Sequence, residues 1–148
     1  MPEIRPISVV AYLEAAAGLM QAHQRETEPG MSSDGPHPLS HVYAALEQAG
    51  SVVAFGAFDG DELVGYSVAI IGPHLHYGYL YAHHDVLYVR PDARKGTVGL
   101  RLMRATEAES RARGARCVTW HVKPGSRLES IVSRTGYAVE EIVYRKEF

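Results

Sequence analysis

Apolar positions along the chain fall into runs of two periods, and each change of period marks an element. After a short extended start, Glu3 to Ile7, apolar residues recur at helical spacing. They are Val9, Tyr12, Leu13, Ala16 and Met20, with Ser8 placed to cap the first turn. Residues 25–38, RETEPGMSSDGPHP, carry no period and are rich in Gly, Pro and Ser, which predicts a loop. A second short helix is predicted from Val42, Ala45, Leu46 and Ala49, with Gly50 where it would stop. From Ser51 the period becomes strand-like. SVVAFGAF and ELVGYSVAII are β-rich runs joined by Asp59-Gly60-Asp61, a hairpin signal, and YGYLYAHHDVLYV continues the sheet after Gly72-Pro73.

Helical spacing returns with Val98, Leu102, Ala105, Ala108 and Ala112, and Gly114 ends that stripe. ARCVTWHV, residues 115–122, reads as a buried strand in which Val118, Trp120 and Val122 share a face. Trp120 and Cys117 are expected in the core. Ser126-Arg127-Leu128-Glu129 is a capping box opening a helix whose Leu128, Ile131 and Val132 face inward, and Gly136 suits its close. A last extended piece, YAVEEIVYRKEF, is short, which leaves it open to pairing with a second subunit as a homodimer. The predicted order is β-α-α-β-β-β-α-β-α-β, an α/β domain with a mixed central sheet flanked by helices, spanning 1–148 as one unit.

Composition narrows the classes. The 46% apolar and 22% charged content is that of a globular protein, and the net charge of −2 gives no electrostatic reason to expect nucleic acid or an anionic membrane. No apolar run approaches a membrane span, and the N-terminus lacks a charged leader followed by an apolar core. The single cysteine, Cys117, excludes an internal disulfide and suits a reducing compartment, so a cytoplasmic protein is expected.

Candidate chemistry concentrates in residues 82–99, AHHDVLYVRPDARKGTVG. Arg94-Lys95-Gly96-Thr97-Val98-Gly99 places small residues and positive charge where a strand has ended and a helix begins. Free amides and the helix dipole there favour a phosphate, and glycine lets the backbone approach it. At the other end of the strand, alternation puts His83 and Asp85 on one face and His84 on the other. Histidine accepts a proton near neutrality without tuning.

The run from Asp85 to Trp120 resembles the acetyl-CoA-binding core of the GCN5-related N-acetyltransferases, the GNAT family. That pattern is a strand, Arg or Gln, two residues, Gly, one residue, then Gly or Ala at a helix start. Arg94 and Gly99 fit, while Thr97 stands for the first glycine with Gly96 just before it. The element order is also that of the family, and SRTGY resembles its frequent Gly-Phe/Tyr after the last helix.

The resemblance implies a GNAT fold and an acetyl-CoA-dependent N-acetyltransferase, an acyltransferase in which a primary amine attacks the thioester directly. It implies that the backbones of Leu87 and Val89 hold the pantetheine, with the Leu87 amide polarising the thioester carbonyl. The pyrophosphate would lie on the backbone amides of Arg94, Lys95, Gly96, Thr97, Val98, Gly99 and Leu100. By offset, His83 falls where histone-type members keep a catalytic glutamate, and His83 with Asp85 where arylalkylamine acetyltransferases have two histidines. His83 is therefore expected as the base, with Asp85 its orienting partner or an alternative base. The acceptor amine would enter between the first two helices and the sheet, where Glu26, Glu28 and Asp34 could attract a cation.

Two positions depart from the family. Val132 stands where many members have a tyrosine acid, and Gly125 replaces a common Asn. They support an alternative, a catalytically degenerate acyl-CoA-binding or interaction module of the same fold. Eight histidines also raise a metal reading, chiefly His74, His76, His83 and His84 with Asp85. The first two flank a Gly-Pro break and no Cys or Glu cluster joins them, so no metal is expected.

Overall fold

The computed structural model describes residues 1–148. Its centre is a five-stranded sheet in chain order: β1 (Glu3–Pro6), β2 (Val52–Asp59), β3 (Glu62–Pro73), β4 (Leu80–Val89) and β5 (Val118–Thr119). β1 to β4 pair antiparallel and β5 joins β4 in parallel, so the sheet is mixed as expected. The β2–β3 hairpin turns at Gly60, which takes φ +60°, a conformation glycine adopts without strain. On one face lies α4 (Val98–Ala112); on the other lie α1 (Val9–Tyr12), α2 (Ala17–Thr27) and α3 (Ser40–Gln48). A short α5 (Arg127–Val132) follows β5. No helix is long and apolar enough to cross a membrane.

Four sequence expectations are corrected. The first helix is two, because residues 13–16 form a turn between α1 and α2, and α2 runs on through Thr27 into the expected loop. α3 is rotated: Tyr43 and Leu46 pack against the sheet while Val42, Ala45 and Ala49 are exposed. α4 buries Val98, Leu102, Met103, Thr106 and Ser110, with Ala108 and Ala112 outside. Thr106 can turn inward because its hydroxyl bonds to Ser67 Oγ (2.8 Å) and to the Leu102 carbonyl (3.0 Å), whereas the buried Ser110 hydroxyl has no partner.

The fourth correction concerns the C-terminal third. Residues 115–122 are not a buried strand. Only Val118 and Thr119 pair, Cys117 is exposed, and Trp120 is half-buried with Nε1 donating to Glu107 (2.9 Å). Beyond Thr119 there is no strand edge for residues 137–148 to join, and they run unpaired with Val139, Ile142, Val143 and Tyr144 exposed. The sixth strand is therefore absent. The capping box does form: Ser126 Oγ accepts from the Glu129 amide (3.2 Å), while Glu129 reaches back to the Gly125 amide (2.6 Å) rather than that of Ser126.

Candidate functional site

β4 carries a bulge that re-aims its backbone. Val68 pairs with Val86 and Ala69 with His84, which leaves Asp85 as the extra residue. Before the bulge, the Ala82 amide donates outward to the Cys117 carbonyl on β5 (3.0 Å). After it, the Arg90 amide donates inward to the Val64 carbonyl on β3 (2.8 Å). Even-numbered residues thus face β5 before Asp85 and β3 after it, so Leu87 and Val89 turn their backbone groups to the outer edge. β5 has already stopped at Thr119, opposite His83. The edge at Leu87 and Val89 has no neighbouring strand, although the Val89 carbonyl accepts from Arg94 Nε (2.7 Å).

The same edge leads into a turn of free donors. Pro91–Ala93 form one 3-10 turn, Gly96 takes φ +70°, and α4 starts at Val98. The first α4 bond is that of the Arg101 amide to the Thr97 carbonyl (2.8 Å), and the amides of Lys95 to Leu100 have no acceptor in the protein. Unpaired amides at the positive end of a 15-residue helix suit an anion. Arg94 differs from the expectation. Its amide is held by the Pro91 carbonyl (3.3 Å), and its guanidinium grips both carboxylate oxygens of Glu26 (2.7 and 2.6 Å). That pair holds the Arg94 cation fully protonated and the Glu26 carboxyl below the usual range. A cation not foreseen in the sequence stands nearby: Arg127 of α5, whose Nη2 reaches the Arg94 carbonyl (3.4 Å).

At the entrance of β4 the side chains divide as alternation predicted. His83 pairs with Ile70 and lies on the α1–α3 face, as does Asp85, which accepts from the Tyr43 hydroxyl of α3. Asp85 and His83 share no hydrogen bond, so Asp85 does not orient that ring. His83 Nδ1 is buried with no partner, and the ring stacks 6.5 Å from that of His121. Burial pulls the His83 pKa down, His121 adds to this, and Asp85 opposes it. The ring is neutral at pH 7, with an open lone pair. Burial, and then the bond to Asp85, raises the Tyr43 phenol, which stays protonated. His84 lies on the α4 face, its ring 5.2 Å from Trp120, with neither nitrogen bonded and its pKa lowered by burial to about 4.

Between α1–α3 and the sheet is a cavity of about 440 Å³. Its apolar wall includes Ile7, Leu13, Met20, Val68 and Val86; Tyr43, Tyr66 and His23 add polar groups on the sheet side, and Gln24, Glu28, Ser32 and His37 add others. His23 Nδ1 bonds to Tyr66 Oη (2.9 Å) and its ring stacks on Tyr88 (4.8 Å). Tyr88 donates to Glu26 (3.1 Å), so a continuous chain links the cavity to Arg94 and the turn. Tyr43, Tyr66 and His23 were missed in the sequence. The one signal for His23 was its place three residues after Met20, on the apolar side of the helix.

Two of the three acidic residues expected to attract a cation are already paired: Glu26 holds Arg94 and Glu28 pairs with Lys123 (3.3 Å), while Asp34 accepts only from the Ser33 hydroxyl (3.1 Å). His74 packs at tilted angles against His76, Tyr77, Tyr79 and Tyr81 at the β3–β4 turn, and no three His, Cys, Asp or Glu side chains converge as a metal site would need.

The sequence matches the acetyltransferase (GNAT) family over residues 17–131. In fold, the chain is similar to the ribosomal-protein-alanine N-acetyltransferase of Brucella melitensis biovar Abortus 2308, at 16% identity and TM-score 0.75, with 100% of this chain and 99% of that one covered. It is similar to an aminoglycoside acetyltransferase from an uncultured soil metagenomic sample, at 16% identity and TM-score 0.77, with 100% and 99% covered. It is also similar to AAC(6')-Iy, solved with the bisubstrate analog CoA-S-monomethyl-acetylneamine, at 19% identity and TM-score 0.70, with 100% and 99% covered. No curated protein matches the sequence.

Proposed function

The chain belongs to the acetyltransferase (GNAT) family, and on that premise we propose that residues 1–148 form one domain that moves an acetyl group from acetyl-CoA to a primary amine. The observation that carries this reading is a row of unpaired backbone donors in two stretches, the Leu87 and Val89 edge and, beyond the turn, the amides of Lys95 through Leu100. Such a row fits an extended chain carrying a diphosphate: the edge binds it as a strand would, and the helix start takes the charge. Acetyl-CoA supplies the acetyl group as a thioester.

The protein's own residues then divide the work. Leu87 offers its amide to the thioester carbonyl, and Lys95 to Leu100 offer theirs to the diphosphate. Asp85 draws the amine to the bulge, and the neutral His83, directly or through a water, takes the proton that the ammonium must lose. The amine nitrogen bonds to the carbonyl carbon, the carbon–sulfur bond breaks, and the thiolate takes a proton from water.

His83→Gln should lower kcat/KM by about 100-fold or more. In the wild type, kcat/KM should fall as pH drops through the lowered His83 pKa, because the protonated ring cannot accept. The variant should lose that acid limb. An unchanged limb would remove His83 from the mechanism.

A binding-only module is the second reading, favoured by Val132 and Gly125 at the two departures from the family pattern. Calorimetric titration with acetyl-CoA, followed by thiol release across a broad amine panel, separates the two. Binding without turnover selects the module; no binding removes both readings.

A further inference from the structure

We propose that the acceptor is a monoamine carried on a compact apolar body, seated in the α1–α3 cavity with its ammonium at Asp85. This rests on the acetyltransferase reading and adds the class of its second substrate. The reason lies in how the cavity spends its charges. Its lining holds one carboxylate, Glu28, and that one, like Glu26 and Glu47 close by, is committed elsewhere. Glu28 is on the lining but pairs with Lys123 (3.3 Å). Glu26 is held by both Arg94 nitrogens. Glu47 closes the start of α1, accepting from the Val9 amide (2.5 Å) and the Ser8 hydroxyl (2.9 Å).

Asp85, like Glu14 and Asp34, has no cationic partner, and of these three Asp85 alone accepts from a side chain of the lining, the Tyr43 hydroxyl. Two histidines line the wall, His23 and His37; burial lowers the His23 pKa and disfavours its cation, and its Nδ1 is bonded to Tyr66.

A ligand here therefore meets one anionic end and a wall that is mostly aliphatic and aromatic. A polyamine or aminoglycoside would bring several ammonium groups into that wall with one carboxylate to answer them, and unpaired charge is costly to bury. A peptide N-terminus would bring backbone amides, for which Leu13, Met20, Val68 and Val86 offer no partner. An apolar body loses nothing of this kind and gains by leaving water. The volume of about 440 Å³ lies at the small end of the range for ligand pockets, roughly 300–1,000 Å³.

The test reads binding separately from turnover. The full-length protein, saturated with CoA, is titrated calorimetrically with 2-phenylethylamine, spermidine, neamine and a pentapeptide with N-terminal alanine. Phenylethylamine should bind at least ~10-fold tighter than the other three, a difference of about 1.4 kcal/mol. Equal or tighter binding of any of the three overturns the proposal, as does binding by none of the four. Leu13→Trp narrows the cavity and should weaken phenylethylamine ~10-fold while acetyl-CoA affinity, the control for folding, stays unchanged. Unaltered phenylethylamine binding by that folded variant also overturns it. Thiol release from acetyl-CoA is measured on the same amines. If none is acetylated while the binding order holds, the acetyltransferase reading fails and the ligand class stands.

Discussion

The two faces of the sheet are built for different ends. On the α4 face, Val53, Ala57, Val64, Leu102 and Met103 are fully buried and Ser67 bonds to Thr106, while Ser110 Oγ and the His84 ring are buried without partners. On the α1–α3 face, α1 has four residues, α3 buries none completely, and a cavity of about 440 Å³ stays open. A close-packed layer holds β4 and the start of α4 in place, so the backbone donors along them are pre-aimed. The loose layer leaves an open cavity beside the same strand. In the proposed reading, holding and selecting fall on opposite sides of β4.

The sharpest way to break this comparison is a pair of truncations. Leu102→Ala should cost about 2–5 kcal/mol in a denaturant melt, since α4 and β2–β4 cannot close over the lost methyls. Met20→Ala on the cavity wall should cost under about 1 kcal/mol, because its side chain already borders open space. Equal losses would mean that the two faces are packed alike.

The next effect is read from pH. His84 has a pKa of 6.5 when free and about 4 when folded, so between these values the unfolded chain binds the proton and the folded one does not. Stability is complete above pH 6.5 and is lost progressively as pH falls to about 4, by about 3 kcal/mol. His84→Phe should flatten that part of the pH–stability curve, and a curve of unchanged slope would place the acid sensitivity elsewhere.

The smallest effect separates the cofactor side from the acceptor side. Gly96→Val forces a side chain onto φ +70° and should cost about 1–2 kcal/mol. Because Gly96 aims the free amides, KM for acetyl-CoA should rise several-fold while KM for the amine stays near its original value. A change confined to the amine would undo the division between the two sides.

Much of this architecture was legible in the chain. The Asp59-Gly60 turn, the Ser126–Glu129 cap and the glycine where α4 ends all follow from local backbone chemistry, and the structure has each of them. The common face of His83 and Asp85 was also legible from alternation. The lining of the cavity was not. Tyr43 was assigned to no face, because the period of Val42, Ala45, Leu46 and Ala49 outweighed it, yet its bond to Asp85 and the packing of Leu46 turn α3 by part of a turn. The orienting role expected of Asp85 failed for the same reason: its partner lies 42 residues away on another element.

Residues 137–148 show the limit most plainly. Their composition is that of a strand, but a strand needs an edge, and β5 ends too early to supply one. Local rules were enough for β1 to β4, for α4 and for the donor-rich turn before it, since these depend largely on neighbours a few residues apart. Which carboxylate keeps its charge free, which ring is left without a partner and where a cavity opens depend on groups that meet only when the faces close. Pairing energies of that kind are not written in the spacing of residues along the chain. They arise from burial and long-range contact, such as the one that brings the Tyr43 hydroxyl to Asp85.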